Sequence, residues 1–481
     1  MNRFLTGVLL IAAAFFSGCM TTAPDPALQR PDQVPDMPPA FRRTTADQAP
    51  GIFNTNEELS SLLDQVRNNN FDIRVLQARV DQEAAELKKE TASLFPDLDL
   101  SFGGERAATR TKTDNASATE DGSHSWDASL SASFTPDVWG ELEAGRQAQA
   151  LDLLAAELDL KNALLEKTTE AAQAWVDIIA ARSEKAVLDQ QVEINQTLLK
   201  LQALRFSNGQ ASALDVSQQR EALAEAASQR PVIERTELLL LNSLALLAGQ
   251  SDVNTVSVTA RELPSPVPLP ATGMPADLLE NRPDIQAAWM RFAASKQDIE
   301  KAKADRLPAF SLSADALFSS GQLDLLFQNW VATLAASITA PLFDAGERRA
   351  EVARTEAAAR EQAALYAQTV SQAIRDVEDS LVSIDRQAAF IRLLEEQLAT
   401  ARLTLKDAML QYRNGQASYL SYLTAWTNIE LLERQLIGEK ATYLKERIGL
   451  YAALGLSAMD GPALDGRQMN TRTNTNTSPE P

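Results

Sequence analysis

The chain has 481 residues, a formal net charge of −20, one histidine and one cysteine. So acidic a chain is not expected to bind nucleic acid, which requires a basic face. A single cysteine excludes a disulfide within one chain, and one histidine with one cysteine excludes a zinc site built from those residue types. The histidine, His124, lies in a polar run that predicts an exposed loop tip, so we do not expect a histidine-dependent active site.

The N-terminus has the pattern of an export signal. A basic residue precedes an apolar run at residues 4–16, which is too short to span a membrane as a helix, and small residues follow it. The only cysteine, Cys19, comes next, and this arrangement resembles the lipid-attachment motif of bacterial lipoproteins. The resemblance implies covalent lipid on Cys19, and Met20 after it implies passage to the outer membrane. The proline-rich residues 19–54 predict an extended tether.

One segment of the chain occurs twice. Residues 206–214 return in similar form as residues 412–420, and other pairs of positions keep nearly the same spacing. Similarity at a fixed spacing indicates a repeated structural unit. The predicted organisation is a signal peptide at 1–18, the tether at 19–54, a first unit at 55–250, a linker at 251–274, a second unit at 275–456 and a polar tail at 457–481.

Four segments alternate between apolar and polar residues, as strands with two different faces do. From 126 to 134, every second residue is apolar and the others are serine or aspartate. The lengths suit a membrane crossing with the apolar face outward, whereas a soluble sandwich would obtain little core from four strands. The predicted strands are about 97–106, 124–136, 308–319 and 329–341. The polar tips between paired strands are 106–123 and 319–328. The strands are predicted to join the helices at Pro96, Pro136, Pro308 and Pro341.

Two segments predict very long helices. Residues 141–208 contain no proline, and residues 347–414 contain neither proline nor glycine, while Ala, Leu, Glu and Gln are abundant in both. Each helix would be about 100 Å long at 1.5 Å per residue. A coiled coil or a tube of helices uses such a length, and a globular domain does not.

Both long helices are predicted to end in a tight helical hairpin. An Asn-Gly pair suits the left-handed residue that stops a helix, and a serine three residues later suits the N-cap of the next one. Ser212 with Asp215 also has the spacing of a capping box. The predicted hairpin residues are Asn208, Gly209, Ser212, Asn414, Gly415 and Ser418.

Four strands cannot close a barrel in a membrane, where open strand edges are not tolerated. Two chains would supply eight strands and almost no lumen, while three would supply twelve and a channel. The residues therefore favour an oligomer without fixing its number.

The two hairpins, the four proline joints and the cysteine motif resemble the outer-membrane factors of tripartite efflux pumps and type I secretion systems, in their lipoprotein branch. The resemblance covers about residues 55–456. It implies a mainly α fold with a membrane β-barrel part, in which a homotrimer closes twelve strands and the helices continue as a periplasmic tube. An equatorial region would come from about 251–281 and 456–470. A passive exit duct in the outer membrane is implied, with no catalysis and no cofactor besides the lipid on Cys19.

The resemblance also implies partners and a gate. A periplasmic adaptor would dock between the hairpins, at residues 206–216 and 412–422, and would connect the duct to an inner-membrane transporter. Asp215 and Tyr412 match a pair that closes the tip in related proteins, although Asp215 could be only a capping residue. The acidic ring common in the family is not expected here, because Ser421 and Thr424 occupy its positions. Leu420 remains as a candidate apolar constriction.

Two other classes of function compete with the exit duct. A lipid-anchored periplasmic coiled-coil spacer without a pore would explain the long helices, but it has no need of the four alternating strands. An enzyme would need a site, and the sequence has no phosphate-binding loop of the GxxxxGK[ST] type. The sequence does not reveal which molecule the duct exports.

Overall fold

A computed structural model describes residues 37–41, 57–111, 119–252, 256–266 and 268–456 of the chain. The predicted signal peptide, Cys19, most of the tether and the polar tail lie outside the described residues, as do residues 457–470 of the predicted equatorial region.

The described elements form two successive sets with the same order. The first set is α1 (Glu57–Asn69), α2 (Phe71–Ala92), β1 (Asp97–Thr111), β2 (Thr119–Phe134), α3 (Glu141–Ser207) and α4 (Ala213–Leu247). The second set is α5 (Leu278–Asn281), α6 (Pro283–Ala304), β3 (Ala309–Ser320), β4 (Trp330–Thr339), α7 (Glu347–Arg413) and α8 (Tyr419–Ala453).

Apart from the first pair, where α1 has 13 residues and α5 has 4, corresponding helices have equal lengths. There are 22 residues in α2 and α6, 67 in α3 and α7, and 35 in α4 and α8. The two long helices end within one residue of the prediction. None of the helices in the described part of the chain is both long and apolar enough to cross a membrane.

The four strands form one antiparallel sheet in the order β1-β2-β3-β4. Residues that pair across strands share a face, and the register keeps the two faces chemically distinct. One apolar row is Leu100, Leu130, Ala316 and Ala332, and the adjacent polar row is Asp99, Ser131, Asp315 and Thr333. In the single chain most large apolar side chains on the face of the first row are exposed; Leu334, for example, is 85% exposed.

The first strand hairpin is longer than predicted. Pairing continues from Arg106 opposite His124 to Thr111 opposite Thr119, so the predicted polar tip at 106–123 is wrong and His124 is an exposed strand residue. Backbone hydrogen bonds hold these extensions, and they need no apolar alternation. The second tip contains a short 3₁₀ helix, Leu323–Gln328. The prolines lie at the joints as predicted, directly before β1 and β3 and two residues after β2 and β4.

The main core lies beside the middle of α3 and the C-terminal ends of α4 and α8, away from the hairpin tips. Its buried members come from α1, α3, α4, α8 and the inter-repeat segment, and they include Leu63, Trp175, Leu244, Val258 and Ile448. The inter-repeat segment is held by polar contacts as well. The carboxylate of Glu58 accepts hydrogen bonds from the backbone N–H of Thr259 at 2.8 Å and from its hydroxyl at 2.5 Å.

Corresponding hydrogen bonds hold the first and last helices of each repeat together. The side chain of Asn70 donates to the carbonyl of Leu247 at 2.9 Å, and that of Arg282 donates to the carbonyl of Ala453 at 3.2 Å. Each contact joins the start of a repeat to the end of its returning helix. The structure is therefore two copies of one closed unit, with the sheet at one end and the hairpin tips at the other.

Candidate functional site

The tips of the two helical hairpins are built by matching backbone motifs. Gly209 and Gly415 have φ values of +70° and +69°, in the left-handed region that favours glycine. The N–H of the residue after each glycine bonds back to a carbonyl in the last helical turn at 2.8 Å. This is the Schellman arrangement, and it ends α3 and α7 where the Asn-Gly pairs predict.

The serine caps after these turns differ between the repeats. In the first hairpin the N–H of Ser212 donates to the carboxylate of Asp215 at 2.9 Å, and the N–H of Asp215 donates to the hydroxyl of Ser212 at 3.1 Å. In the second, Ser418 accepts from the N–H of Ser421 at 3.4 Å. Ser421 occupies the place of Asp215, so the second cap lacks the reciprocal carboxylate.

The structure does not bring Asp215 and Tyr412 into a hydrogen bond with each other. The carboxylate of Asp215 accepts a hydrogen bond from Ser212 in the N-cap of its own helix. The hydroxyl of Tyr412 accepts one from the side-chain amide of Gln202 at 3.2 Å. The guanidinium of Arg205 lies 4.8 Å from the centre of the Tyr412 ring. The hydrogen bonds of the described residues include none between Asp215 and Tyr412, and each of the two side chains has another partner. Their role in a gate stays a prediction.

Three tyrosines pack together just behind the second tip. The ring centres of Tyr412, Tyr419 and Tyr422 lie 5.4 to 6.2 Å apart. Tyr419 is buried, and its hydroxyl donates to the side-chain oxygen of Gln219 on α4. Burial raises the pKa of Tyr419 above its usual range, so the hydroxyl stays protonated and able to donate. The cluster thus joins the second hairpin to the first.

A buried polar network continues from Gln219 along the junction of the hairpins. The amide of Gln219 donates to the side-chain oxygen of Asn195 at 2.8 Å, and the amide of Asn195 donates to the carboxylate of Glu430 at 2.7 Å. The indole N–H of Trp426 donates to the same carboxylate at 2.7 Å. Burial is the largest influence on Glu430 and raises the pKa of its carboxyl group. The network ties α3, α4 and α8 together a few turns behind the tips.

Sequence reasoning missed this network, although one signal was present. Gln191, Asn195 and Gln202 are four and seven residues apart on α3, a spacing that places them on one face of a helix. All three are almost completely buried, on a helix whose other buried residues are mostly apolar. Buried amides require hydrogen-bond partners, so a polar interhelical contact was implied.

The remaining predicted tip residues lie at the surface. Asn208 and Asn414 are exposed, and Leu420 on the first turn of α8 is 50% exposed. Its counterpart Leu214 on α4 is 64% exposed, and Phe206 is 49% exposed. The hairpin ends therefore present apolar side chains around polar turns. Cys19 lies outside the described residues.

Comparison with known proteins agrees with this architecture. The family model described as outer membrane efflux protein matches residues 62–250 and 274–456 of the chain. The chain belongs to the outer membrane efflux protein family. The matched segments include both strand hairpins and both helical hairpins.

Relatives of known name and structure cover most of the chain. The pyoverdine export outer membrane protein OpmQ of Pseudomonas aeruginosa is 29% identical over 403 residues, which are 83% of this chain and 85% of OpmQ. The toluene efflux pump outer membrane protein TtgF of Pseudomonas putida is 28% identical over 413 residues, 84% of each chain. A crystal structure of a membrane protein from Pseudomonas aeruginosa is 25% identical with a TM-score of 0.80, covering 89% of this chain and 98% of that one.

Proposed function

We propose that the chain is the outer-membrane channel subunit of a tripartite efflux system, a passive exit duct for small molecules. The observation that carries the proposal is the four-stranded sheet, which has an exposed apolar face, a polar face and two outer strands without a strand partner among the described residues. A periplasmic spacer would leave this sheet without a role.

Three copies would close the sheet into a barrel of twelve strands. Unpaired backbone groups at a strand edge are costly in lipid, so the edges of β1 and β4 must find partners in other copies. Twelve strands leave a lumen, whereas eight leave almost none. The apolar face would then contact lipid, where each large apolar side chain gains about 1.5–3 kcal/mol relative to water.

The helices would extend the lumen through the periplasm. Each long helix packs on its returning helix through an apolar seam: Leu188 of α3 against Ile233 of α4, and Leu394 and Leu398 of α7 against Ile429 and Leu432 of α8. A 67-residue helix is about 100 Å long at 1.5 Å per residue. Such hairpins from three copies suit the wall of a tube.

The hairpin tips, residues 206–216 and 412–422, are proposed as the gate and as the docking site of a periplasmic adaptor. The exposed apolar side chains around the two turns suit a partner's helical hairpin. We expect the contact of Gln202 with Tyr412, and the cap of Asp215, to hold the resting tip. Transport energy would come from an inner-membrane transporter through the adaptor, since the duct itself is passive and needs no catalytic residue or cofactor.

Covalent lipid on Cys19 would anchor the chain in the outer membrane beside its barrel. The relatives named for pyoverdine and for toluene suggest small molecules as the exported class. Selection among them would rest mainly with the inner-membrane transporter.

Single-channel conductance in a planar bilayer tests the proposal. Small, flickering currents are expected from the purified wild-type protein, and larger, longer openings from the Gln202→Ala/Tyr412→Phe variant. The Asp215→Ala/Tyr412→Phe variant tests the pair predicted from sequence. Wild-type currents that neither variant changes would support the exit duct and exclude this gate. A folded oligomer without conductance in any form would favour the spacer.

A further inference from the structure

The apolar face of the sheet ends in a row of aromatic side chains. Phe102, Phe318 and Trp330 lie in one cross-strand row, on the same face as Leu100. Trp126 is in the next row towards the strand tips, and its ring stacks on that of Phe102 with 6.0 Å between ring centres. Aromatic side chains of a membrane barrel gather where the hydrocarbon meets the lipid head groups. This row therefore marks one boundary of the lipid-facing band.

A second aromatic pair marks the other boundary of the apolar band. The ring centre of Trp139, after β2, lies 6.5 Å from that of Phe310, near the start of β3. Phe310 and Phe318 are eight residues apart on the same strand, about 27 Å at about 3.4 Å per residue. With a strand tilt of about 40°, the band is about 21 Å tall, close to the roughly 25 Å of membrane barrels. The apolar face therefore has about the height of the hydrocarbon layer.

The first strand hairpin continues past the aromatic row. Arg106 is four residues beyond Phe102 on β1, and it pairs with His124 on β2. All three side chains are on one face, because side chains alternate along a strand. Arg106 is about 14 Å beyond Phe102 along the strand, or about 10 Å along the membrane normal. The head-group layer adds about 5–8 Å on each side of the hydrocarbon, so a long arginine side chain that bends back reaches it.

The charges near Arg106 are separated by face. Glu105 precedes Arg106 on β1, but alternation places it on the polar face. Arg106 and His124 are exposed, and no carboxylate in the described part of the chain forms an ion pair with Arg106. Arg110 lies further along the same face, but it is opposite Glu120 in the register. Arg106 is therefore the better placed of the two arginines to bind an anion.

We propose that Arg106 and His124 bind a phosphate group of lipopolysaccharide in the outer leaflet of the outer membrane. Arginine can hold a phosphate through two parallel N–H bonds, and a ring N–H of histidine can donate another. Side chains directly opposite each other on paired strands have Cβ atoms about 4.5–5.5 Å apart, so both can reach one phosphate.

The proposal rests on the outer-membrane channel proposed above. In that channel the helices leave the sheet on the periplasmic side, so the tips of β1 and β2 face the exterior. The lipid part of lipopolysaccharide carries its phosphates at the head-group level, and its acyl chains would lie along the apolar face. Anionic phospholipid of the inner leaflet would instead meet the other end of the sheet, beside the helices.

The aromatic row makes a lipid a better ligand than a soluble phosphate. Phe102 and Trp330 are 62% and 65% exposed in the single chain. Contact with acyl chains would remove both rings from water, while the phosphate meets Arg106 and His124. A ligand with a phosphate and acyl chains satisfies both parts of this surface, whereas inorganic phosphate satisfies only the charged part.

Lipid binding to the purified, detergent-solubilised oligomer tests the proposal. The probe is diphosphoryl lipid A, the phosphorylated lipid part of lipopolysaccharide, titrated and counted by native mass spectrometry. We expect Arg106→Gln to weaken binding by about tenfold and His124→Gln by about threefold. Arg106→Lys should restore part of the affinity, since it keeps the charge but loses the paired N–H geometry. Arg235→Gln, at an exposed arginine of α4, is the matched control and should bind as the wild type does.

Two further lipids test the chemistry of the ligand. Lipid A without its phosphates should bind the wild type as weakly as diphosphoryl lipid A binds Arg106→Gln. Phosphatidylglycerol should bind more weakly than lipid A and should not depend on Arg106. Equal binding of the two anionic lipids through Arg106 would overturn the assignment to lipopolysaccharide. Equal binding of diphosphoryl lipid A to the wild type and to Arg106→Gln would overturn the site.

Single-channel conductance distinguishes failure of this proposal from failure of the channel. Arg106 is on the face away from the proposed lumen, so Arg106→Gln should conduct as the wild type does. A folded wild-type oligomer that does not conduct would exclude the channel and the orientation on which this site depends. A conducting protein whose binding of lipid A is unchanged by Arg106→Gln would support the channel and exclude this site alone.

Discussion

The side-chain amide of Asn195 donates a hydrogen bond of 2.7 Å to the buried carboxylate of Glu430, 235 residues later in the chain. It is the central contact of the network that joins the first hairpin to the returning helix of the second. Buried polar contacts of this kind hold helices in one fixed arrangement when every member has a partner.

Replacing Glu430 tests the strength of this junction. Glu430→Ala removes the acceptor of one side-chain N–H of Asn195 and of the indole N–H of Trp426, at about 1–3 kcal/mol for each donor left unsatisfied. The side-chain amide of Asn195 still donates to the carbonyl of Gln191 at 3.0 Å. Glu430→Gln retains an oxygen acceptor and should cost less. We expect a lower unfolding midpoint and faster amide exchange at the tips for Glu430→Ala. Glu433→Ala is the control, since its ion pair with Arg402 is exposed and such pairs contribute about 0–1 kcal/mol. Equal effects at 430 and 433 would contradict the account.

Two substitutions test the difference between the N-caps of the two hairpins. One weakens the first cap and the other strengthens the second. Ser212→Ala removes the cap of α4 and should cost about 1 kcal/mol. Ser421→Asp supplies the second hairpin with the carboxylate that Asp215 supplies to the first, and should slow amide exchange in residues 412–422. Hydrogen exchange of the two tips measures both effects. Faster exchange of the second tip in Ser421→Asp would show that its serine has another role.

Two glycines allow the cost of a positive φ to be measured separately from the cost of a steric clash. Gly209 and Gly249 have nearly the same φ, +70° and +68°, but a Cβ at Gly249 would lie 2.1 Å from the carbonyl oxygen of Asn69, while a Cβ at Gly209 has open space. Gly209→Ala should cost about 1–2 kcal/mol. Gly249→Ala must also displace the joint of α1 and α2, so we expect a clearly lower unfolding midpoint and yield. Similar losses at both positions would contradict this reading.

Asp152 on α3 gives a pH-dependent prediction. Burial, with Asp298 and Glu83 nearby, raises the pKa of its carboxyl group to about 6. As the pH rises, the unfolded chain loses this proton at a lower pH than the folded chain does. The free energy of unfolding therefore falls between about pH 3.8 and about pH 6, and it stays at the reduced value above pH 6. Asp152→Asn should raise the unfolding midpoint at pH 7.5 and change it little at pH 3.5. Glu166→Gln, an exposed carboxylate of the same helix, is the control. A pH-independent gain at Asp152 would refute the explanation.

The sequence was enough to predict the elements that depend on local chemistry. The absence of proline predicted the long helices, and the Asn-Gly pairs predicted their ends. The extension of β1 beyond Arg106 was not predictable, because backbone pairing there leaves no alternation in the side chains. The contact of Asn195 with Glu430 depends on how α3 packs against α8, and no local pattern encodes a partner 235 residues away.

The proposed channel requires that the polar face of the sheet line a conducting pore. Its most direct test is single-channel recording of Ser131→Cys and Ala132→Cys proteins before and after a charged thiol reagent, because these neighbours lie on opposite faces of β2. We predict stepwise loss of conductance for Ser131→Cys and unchanged conductance for Ala132→Cys. Loss of conductance in Ala132→Cys, together with unchanged conductance in a Ser131→Cys protein that has reacted with the reagent, would contradict this arrangement of the pore.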